Sequence, residues 1–182
     1  MQENLDADIE LRHWDKMRKG DKASFEFLYN RYFKLLYNYS KKIGIDTVQV
    51  EDAIHDLFVD LWRYRENLSS TTSVRFYLYR SLRRRVKRNV SAHTYLFDNK
   101  LILEDTFGAI SPSSEQNIID AEADQQRINR LKKLLNDLSP RQYEALVLRF
   151  YDDFCFEEIG SILNVNEQSA RNRLTTLPSL KQ

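Results

Sequence analysis

Seven basic residues and no acidic one fall between Arg75 and Val90, with three aromatic residues interleaved. Arg75, Arg80, Arg83, Arg84, Arg85, Lys87 and Arg88 could neutralise phosphates, while Phe76, Tyr77 and Tyr79 offer ring faces on which unpaired bases stack. So much positive charge repels itself unless a polyanion relieves it. A second set, Glu167, Gln168, Ser169, Arg171, Asn172 and Arg173, carries the donors and acceptors that read base edges in a DNA major groove. A third, Glu51, Asp52, His55, Asp56 and Asp60, is an acidic stripe suited to a basic partner surface. Each set also has a plain structural reading. The basic run could be a solvated helix balanced by acidic residues elsewhere, and the second set the polar outer face of a small bundle. The third could be a solvated face, with Glu51 and Asp52 complementing a helix dipole from its first turn.

None of these sets is catalytic. There is no Gly-rich phosphate loop, and His13, His55, His93 and Cys155 have no metal-ligand spacing. The carboxylate pairs Asp152-Asp153 and Glu157-Glu158 are adjacent, so each pair splits across a helix and reads as turn or first-turn residues. Neither an enzyme activity nor a metal or cofactor is expected. The net charge of +1 argues against a protein that coats DNA by bulk charge, but the charge is segregated. Seven acidic residues and one Lys lie between Asp98 and Asp124. A single cysteine excludes an internal disulfide and fits a reducing cytoplasm. The acidic start of the chain has no apolar run of the kind a signal peptide needs, and no segment approaches the ~20 apolar residues that cross a bilayer.

These side chains must be carried on helices. Only four Gly and three Pro occur in 182 residues, and apolar residues recur with a 3.6-residue period, which predicts an all-α chain. Leu5, Ile9, Trp14 and Met17 predict a first helix stopped near Gly20. Asp21 caps a second that runs to about Ile43, with Gly44 closing it and Phe25, Leu28, Tyr29, Tyr32, Phe33, Leu36 and Tyr39 as a core-facing stripe. A third, from about Val48 to Glu66, buries Ala53, Ile54, Leu57, Phe58, Leu61 and Trp62 opposite the acidic stripe. A polar loop over Asn67 to Ser73 leads to a fourth, Ser73 to Asn89, with Val74, Leu78, Leu82 and Val86 inside. Ser91 to Ser114 has weak periodicity and turns acidic, which marks a linker. A further helix over about Glu115 to Asp137 carries Ile128, Leu131, Leu134, Leu135 and Leu138.

Ser139 to Leu177 spells a helix-turn-helix. Ser139-Pro140-Arg141-Gln142 is a capping box with Pro at the first helical position. Tyr143, Leu146, Val147 and Phe150 form one stripe, and Ile159, Ile162 and Leu163 another. Gly160 stands where two helix backbones could approach closely. Asn164 suits a left-handed helix end, Asn166 caps a third helix, and Ala170 and Leu174 face inward. Two small helical domains are thus expected, over 5–92 and 115–182, joined by a linker over 93–114.

This layout resembles the extracytoplasmic-function sigma factors of bacterial RNA polymerase, of the sigma-70 family. In the first module the resemblance is carried by Gly20-Asp21, Phe25 and Leu28-Tyr29, then by Val50 through Phe58 with Leu61-Trp62, then by Phe76 through Arg80. In the second it is carried by Leu138 through Gln142, by Arg149-Phe150-Tyr151, and by Phe156 through Gly160 with Asn164-Val165. The run Asn164 to Asn172 looks most similar to Bacteroides-type members, often paired with a membrane anti-sigma factor. The resemblance implies that the Glu51 to Trp62 helix docks on the β′ coiled coil of core polymerase, with the β flap as a further contact. It implies that the segment Asn67 to Arg88 recognises and melts the promoter −10 element, and that Phe156 to Leu174 reads the −35 element. A monomer when free, without catalytic residues or membrane insertion, is implied as well. A stand-alone helix-turn-helix regulator, acting as a homodimer on a two-fold symmetric site, is the alternative. Two departures stand out. Cys155 occupies a position where Ser or Thr usually caps, which predicts a looser helix start. Thr175-Thr176-Leu177-Pro178-Ser179 replaces a basic helix end, and Pro178 cannot donate to the Leu174 carbonyl, so the last helix should stop near Leu177.

Overall fold

The structure, a computed structural model, describes residues 2–89, 126, 129, 130 and 133–175, without side chains at 2–5, 88, 89 and 175. Expectations for Leu5, the 93–114 linker, the helix start near Glu115, Ile128, Leu131 and the Thr176 to Gln182 tail lie outside the described residues. All regular structure among those described is helical. Helix α1 is Gln2–Arg18, α2 Lys22–Lys42, α3 Thr47–Arg63 and α4 Val74–Asn89, with a short 3-10 turn at Arg65–Asn67. Helices α5, Pro140–Phe150, α6, Phe156–Leu163, and α7, Glu167–Thr175, follow. The chain divides into two compact units, one holding α1 to α4 and the other α5 to α7.

In the first unit the helix boundaries follow local chemistry. Gly20 has φ +93° and Gly44 φ +78°, the left-handed region open to glycine. The Asp21 carboxylate accepts from the Ser24 backbone N–H and hydroxyl, which starts α2 and holds that carboxyl below its usual range. The Asp46 carboxylate accepts from Val48 N at 3.1 Å and starts α3. The core consists of Trp14, Met17, Leu28, Tyr32, Leu36, Tyr39, Val50, Ile54, Phe58, Leu61, Leu78 and Leu82. Phe25, Tyr29, Phe33 and Trp62 are half-buried, and they tile the rim of that core rather than its centre. Phe25 meets Trp62 at 5.1 Å and Tyr29 meets Phe58 at 5.0 Å, between ring centroids. Polar links tie α1 to α2: Tyr32 donates to Glu10, Arg31 pairs with Glu10 and with Asp6, and His13 Nδ1 lies 2.9 Å from Ser24 Oγ. Burial and then the Glu10 carboxylate push the Tyr32 phenol well above its ordinary value.

The second unit is built on its caps. Ser139 N donates to Gln142 Oε1 at 2.9 Å, closing the expected capping box, and Pro140 opens α5. The buried side of α5 is Tyr143, Glu144, Ala145, Val147 and Leu148. Leu146 is half-buried and Phe150 is 64% exposed, so the expected stripe is rotated. Burial pushes the Tyr143 phenol up to about 12. Cys155 N donates to Glu158 Oε2 at 3.0 Å, so α6 is capped from its third residue although Cys155 lacks a capping hydroxyl. That corrects the looser start expected there. Asn164 adopts φ 56°, ψ 51°, and Asn166 Oδ1 accepts from Ser169 N at 2.7 Å to start α7. Asn164→Ala is expected to lower the melting midpoint of this unit, at a cost of about 1 kcal/mol, because Gly, Asn and Asp take this conformation far more readily than Ala. Asn164→Gly should leave it unchanged, a contrast that thermal melting followed by circular dichroism checks.

Candidate nucleic-acid and protein interfaces

Helix α4 buries Val74, Leu78, Leu82 and Val86, which turns its cationic residues toward the rim. Arg80, Arg84 and Lys87 are exposed, and Arg75, Phe76, Tyr77 and Arg83 are half-buried. The Arg88 side chain lies outside the described residues. Tyr79 departs from expectation. Its ring is fully buried and packs 4.9 Å from Tyr39, so no base can reach it. The period of α4 puts position 79 beside Leu78 and Leu82, and burial of an aromatic body outweighs display for a nucleic acid. The Arg75 guanidinium lies 5.8 Å from the centroid of that ring.

The loop preceding α4 is anchored from both ends. Trp14 Nε1 donates to the Ser69 carbonyl at 3.1 Å, and Arg18 Nε donates to the Leu68 carbonyl at 2.6 Å. Thr71 Oγ1 donates to the Ser73 carbonyl, and Ser73 Oγ accepts from Phe76 N at 3.1 Å as the cap of α4. Tyr77 meets Trp14 edge-on at 4.9 Å. Beside this loop, α3 and α4 enclose a cleft of about 690 Å³. Leu57, Leu61, Tyr64, Leu68 and Tyr77 give it an apolar wall, and Asp60, Arg84, Arg85 and Lys87 a charged one.

On α3 the residues Glu51, Asp52, His55 and Asp56 are exposed and Asp60 is half-buried. Because the helix starts at Thr47, its first turn contains no acidic residue. The helix-dipole account of Glu51 and Asp52 therefore fails, since that effect fades beyond the first turn. Exposed Val48 and Val59 flank the stripe. Asp56 and Asp60 are engaged within the chain. Arg85 reaches Asp56 at 3.6 Å and pairs closely with Asp60, and its own side chain is only 16% exposed. Nothing in the spacing of the residues pointed to this link, which joins positions 25 and more apart.

On α7 the residues Glu167, Gln168, Arg171 and Asn172 are exposed, while Ser169 and Arg173 are half-buried. Ala170 is fully buried and Leu174 half-buried, which fixes the outward face. Gln168 Nε2 donates to Asn172 Oδ1 at 2.9 Å, and Arg171 pairs with Glu167 at 2.9 Å. Among the described residues no group of carboxylates, His and Cys could hold a metal ion, and no helix is long and apolar enough to cross a membrane.

Comparison with known proteins matches both units. Residues 28–95 match the family described as Sigma-70 region 2, and residues 128–175 match Sigma-70, region 4. No curated protein matches the sequence. Among solved structures, CnrH in complex with the cytosolic domain of CnrY is similar over 91% of this chain and 90% of its own, at 17% identity and a TM-score of 0.61. The sigma factor RpoE in complex with the anti-sigma factor NepR from Bartonella quintana is similar over 83% of this chain and 89% of its own, at 18% identity and a TM-score of 0.52. With region 2 and region 4 together spanning more than half of its length and both folded as helical units, the chain belongs to the sigma-70 family, as a sigma factor that binds core RNA polymerase and recognises promoter DNA.

Proposed function

We propose a division of labour among the three surfaces. The α3 stripe, centred on Glu51, Asp52 and His55, docks on the basic coiled coil of the polymerase β′ subunit, and the β flap takes a further contact. The α4 face, with Arg75, Phe76, Tyr77, Arg80, Arg83, Arg84, Lys87 and Arg88, takes the −10 element. The α7 face, Glu167 to Arg173, reads the −35 element. The observation that carries this reading is the co-location, in the unit matching region 2, of an exposed acidic stripe and a mainly apolar cleft where Tyr64 and Tyr77 stand beside Arg84 and Lys87. Arg84 and Lys87 supply phosphate neutralisation there, and Tyr64 and Tyr77 supply stacking faces for an unpaired base. The region 2 match also sets the stand-alone regulator aside.

Domain limits of 5–92 and 115–182 with a linker between follow from the same reading, as does action in the cytoplasm alongside the polymerase. Sigma factors catalyse no reaction of their own, and none is assigned here. CnrH and RpoE were each solved with a second protein bound, in the latter case an anti-sigma factor. An anti-sigma factor is accordingly proposed for this chain too.

Pull-down with core polymerase followed by run-off transcription tests the reading. Asp52→Arg should weaken core binding by roughly tenfold or more, because like charges then face each other across the interface. Its melting temperature should be unchanged, since Asp52 is exposed and unpaired charges at such sites contribute little to stability. Unaltered core affinity would remove α3 from the docking surface.

A further inference from the structure

Resting on the −10 assignment of the cleft between α3 and α4, we infer that Arg18 is a positioning residue for promoter choice: from α1, outside the cleft, it fixes a wall that selects among −10 bases. Among the described residues α1 contributes none to the cleft lining, yet it supports two lining residues from behind. Arg18 Nε donates to the Leu68 carbonyl at 2.6 Å, and the Trp14 indole meets the Tyr77 ring edge-on at 4.9 Å. The loop's own bonds are local. Leu68 N donates to the Arg65 carbonyl at 3.2 Å, and Thr71 Oγ1 accepts from Ser73 N at 3.2 Å. Such bonds shape the two ends of the loop. The side chains of α1 set where it stands against the helices.

Arg18 is built as a strap rather than as a contact for DNA. Its side chain is 29% exposed, and Nη1 pairs with Asp15 at 3.1 Å, so its charge already has a partner on α1. Base selection is a difference of affinities between the right base and the wrong one, and it depends on how closely the walls are held. A loop free to shift admits every base more easily and narrows that difference. The shift is limited by what one hydrogen bond is worth, so discrimination should fall by about tenfold at most. The hydrogen bond and the charge can be separated at this position. Glutamine carries an amide N–H donor at the same reach from Cα as Nε, and methionine places a methyl group there.

The test uses the full chain bound to core polymerase, with open complexes selected from promoters randomised across the −10 element. Arg18→Met should broaden the selected sequence, with discrimination against single-base changes falling roughly three- to tenfold. Arg18→Gln, which keeps the donor and loses the charge, should restore it. Core affinity and the slope of log K against log salt should match the unsubstituted chain in both variants. Both lose the Asp15 pair, so that loss cancels between them, and melting followed by circular dichroism checks that both fold. An unaltered −10 preference in Arg18→Met overturns the inference. Arg18→Gln behaving like Arg18→Met overturns it too, and a salt slope flatter by about 0.9 in both would make Arg18 a phosphate contact. Tyr77→Ala tests the reading beneath. If it leaves the −10 preference and strand opening unchanged, the −10 assignment of the cleft falls and the role of Arg18 with it. A preference that moves with Tyr77 but not with Arg18 overturns the role of Arg18 alone.

Discussion

Trp14→Ala is expected to cost the first unit about 3–5 kcal/mol, the range for emptying a buried tryptophan site. The indole is 1% exposed and lies edge-on against Tyr77, so its removal leaves a cavity where α1 meets α4. It also frees the Ser69 carbonyl, which loses its 3.1 Å bond to Nε1. Two effects should therefore appear together, a large fall in the denaturation midpoint of the first unit and slower promoter opening. Trp14→Phe separates them. Phenylalanine refills much of the volume but cannot donate, so stability should fall by about 1 kcal/mol while the Ser69 carbonyl still loses its partner. Guanidinium unfolding gives the stability of each variant, and permanganate reactivity of −10 thymines reports opening. Normal reactivity in Trp14→Phe would show that the anchor does not govern strand capture.

The second large effect belongs to Gly160. A β-carbon there would stand 2.9 Å from the Val165 carbonyl oxygen and 3.3 Å from Asn166 C and Glu167 N. All three are backbone atoms of the turn into α7, and Val165 N already donates to the Gly160 carbonyl at 2.8 Å. The turn cannot yield without moving α7. Gly160→Val should cost the second unit about 2–3 kcal/mol through overpacking. Gly160→Ala should cost less, because alanine gains roughly 0.5–1 kcal/mol of helix propensity against the same clash. Chemical denaturation checks both. Transcription should fall most on promoters that depend on upstream contacts.

Much of the second unit was legible because its signals are local. A capping box, a left-handed Asn and an N-cap Asn each act over three or four residues, and all stand where Ser139, Asn164 and Asn166 foretold. Which side of α5 is buried was not legible. Tyr143 and Val147 belong to two overlapping stripes, one through Phe150 and one through Glu144 and Leu148. Packing against α6 and α7 selects the second. Tyr79 misleads for a related reason, since an aromatic residue among arginines suits stacking on bases and burial equally well. The ties that arrange the candidate surfaces lie furthest from view. Arg85 with Asp56 and Asp60, Trp14 with Ser69, and Arg18 with Leu68 join residues from different elements, and no periodicity encodes a partner on another helix.

The bond between Arg85 and the α3 carboxylates ties the histories of two surfaces together. Positions 56, 60 and 85 are not independent letters. A carboxylate lost at 60 leaves a mostly covered cation with the longer Asp56 contact, and a cation lost at 85 leaves two acids on a face that is already negative. Substitutions among these three should cost least as matched exchanges, because a change on the acidic flank of α3 is felt at once on the inner edge of α4.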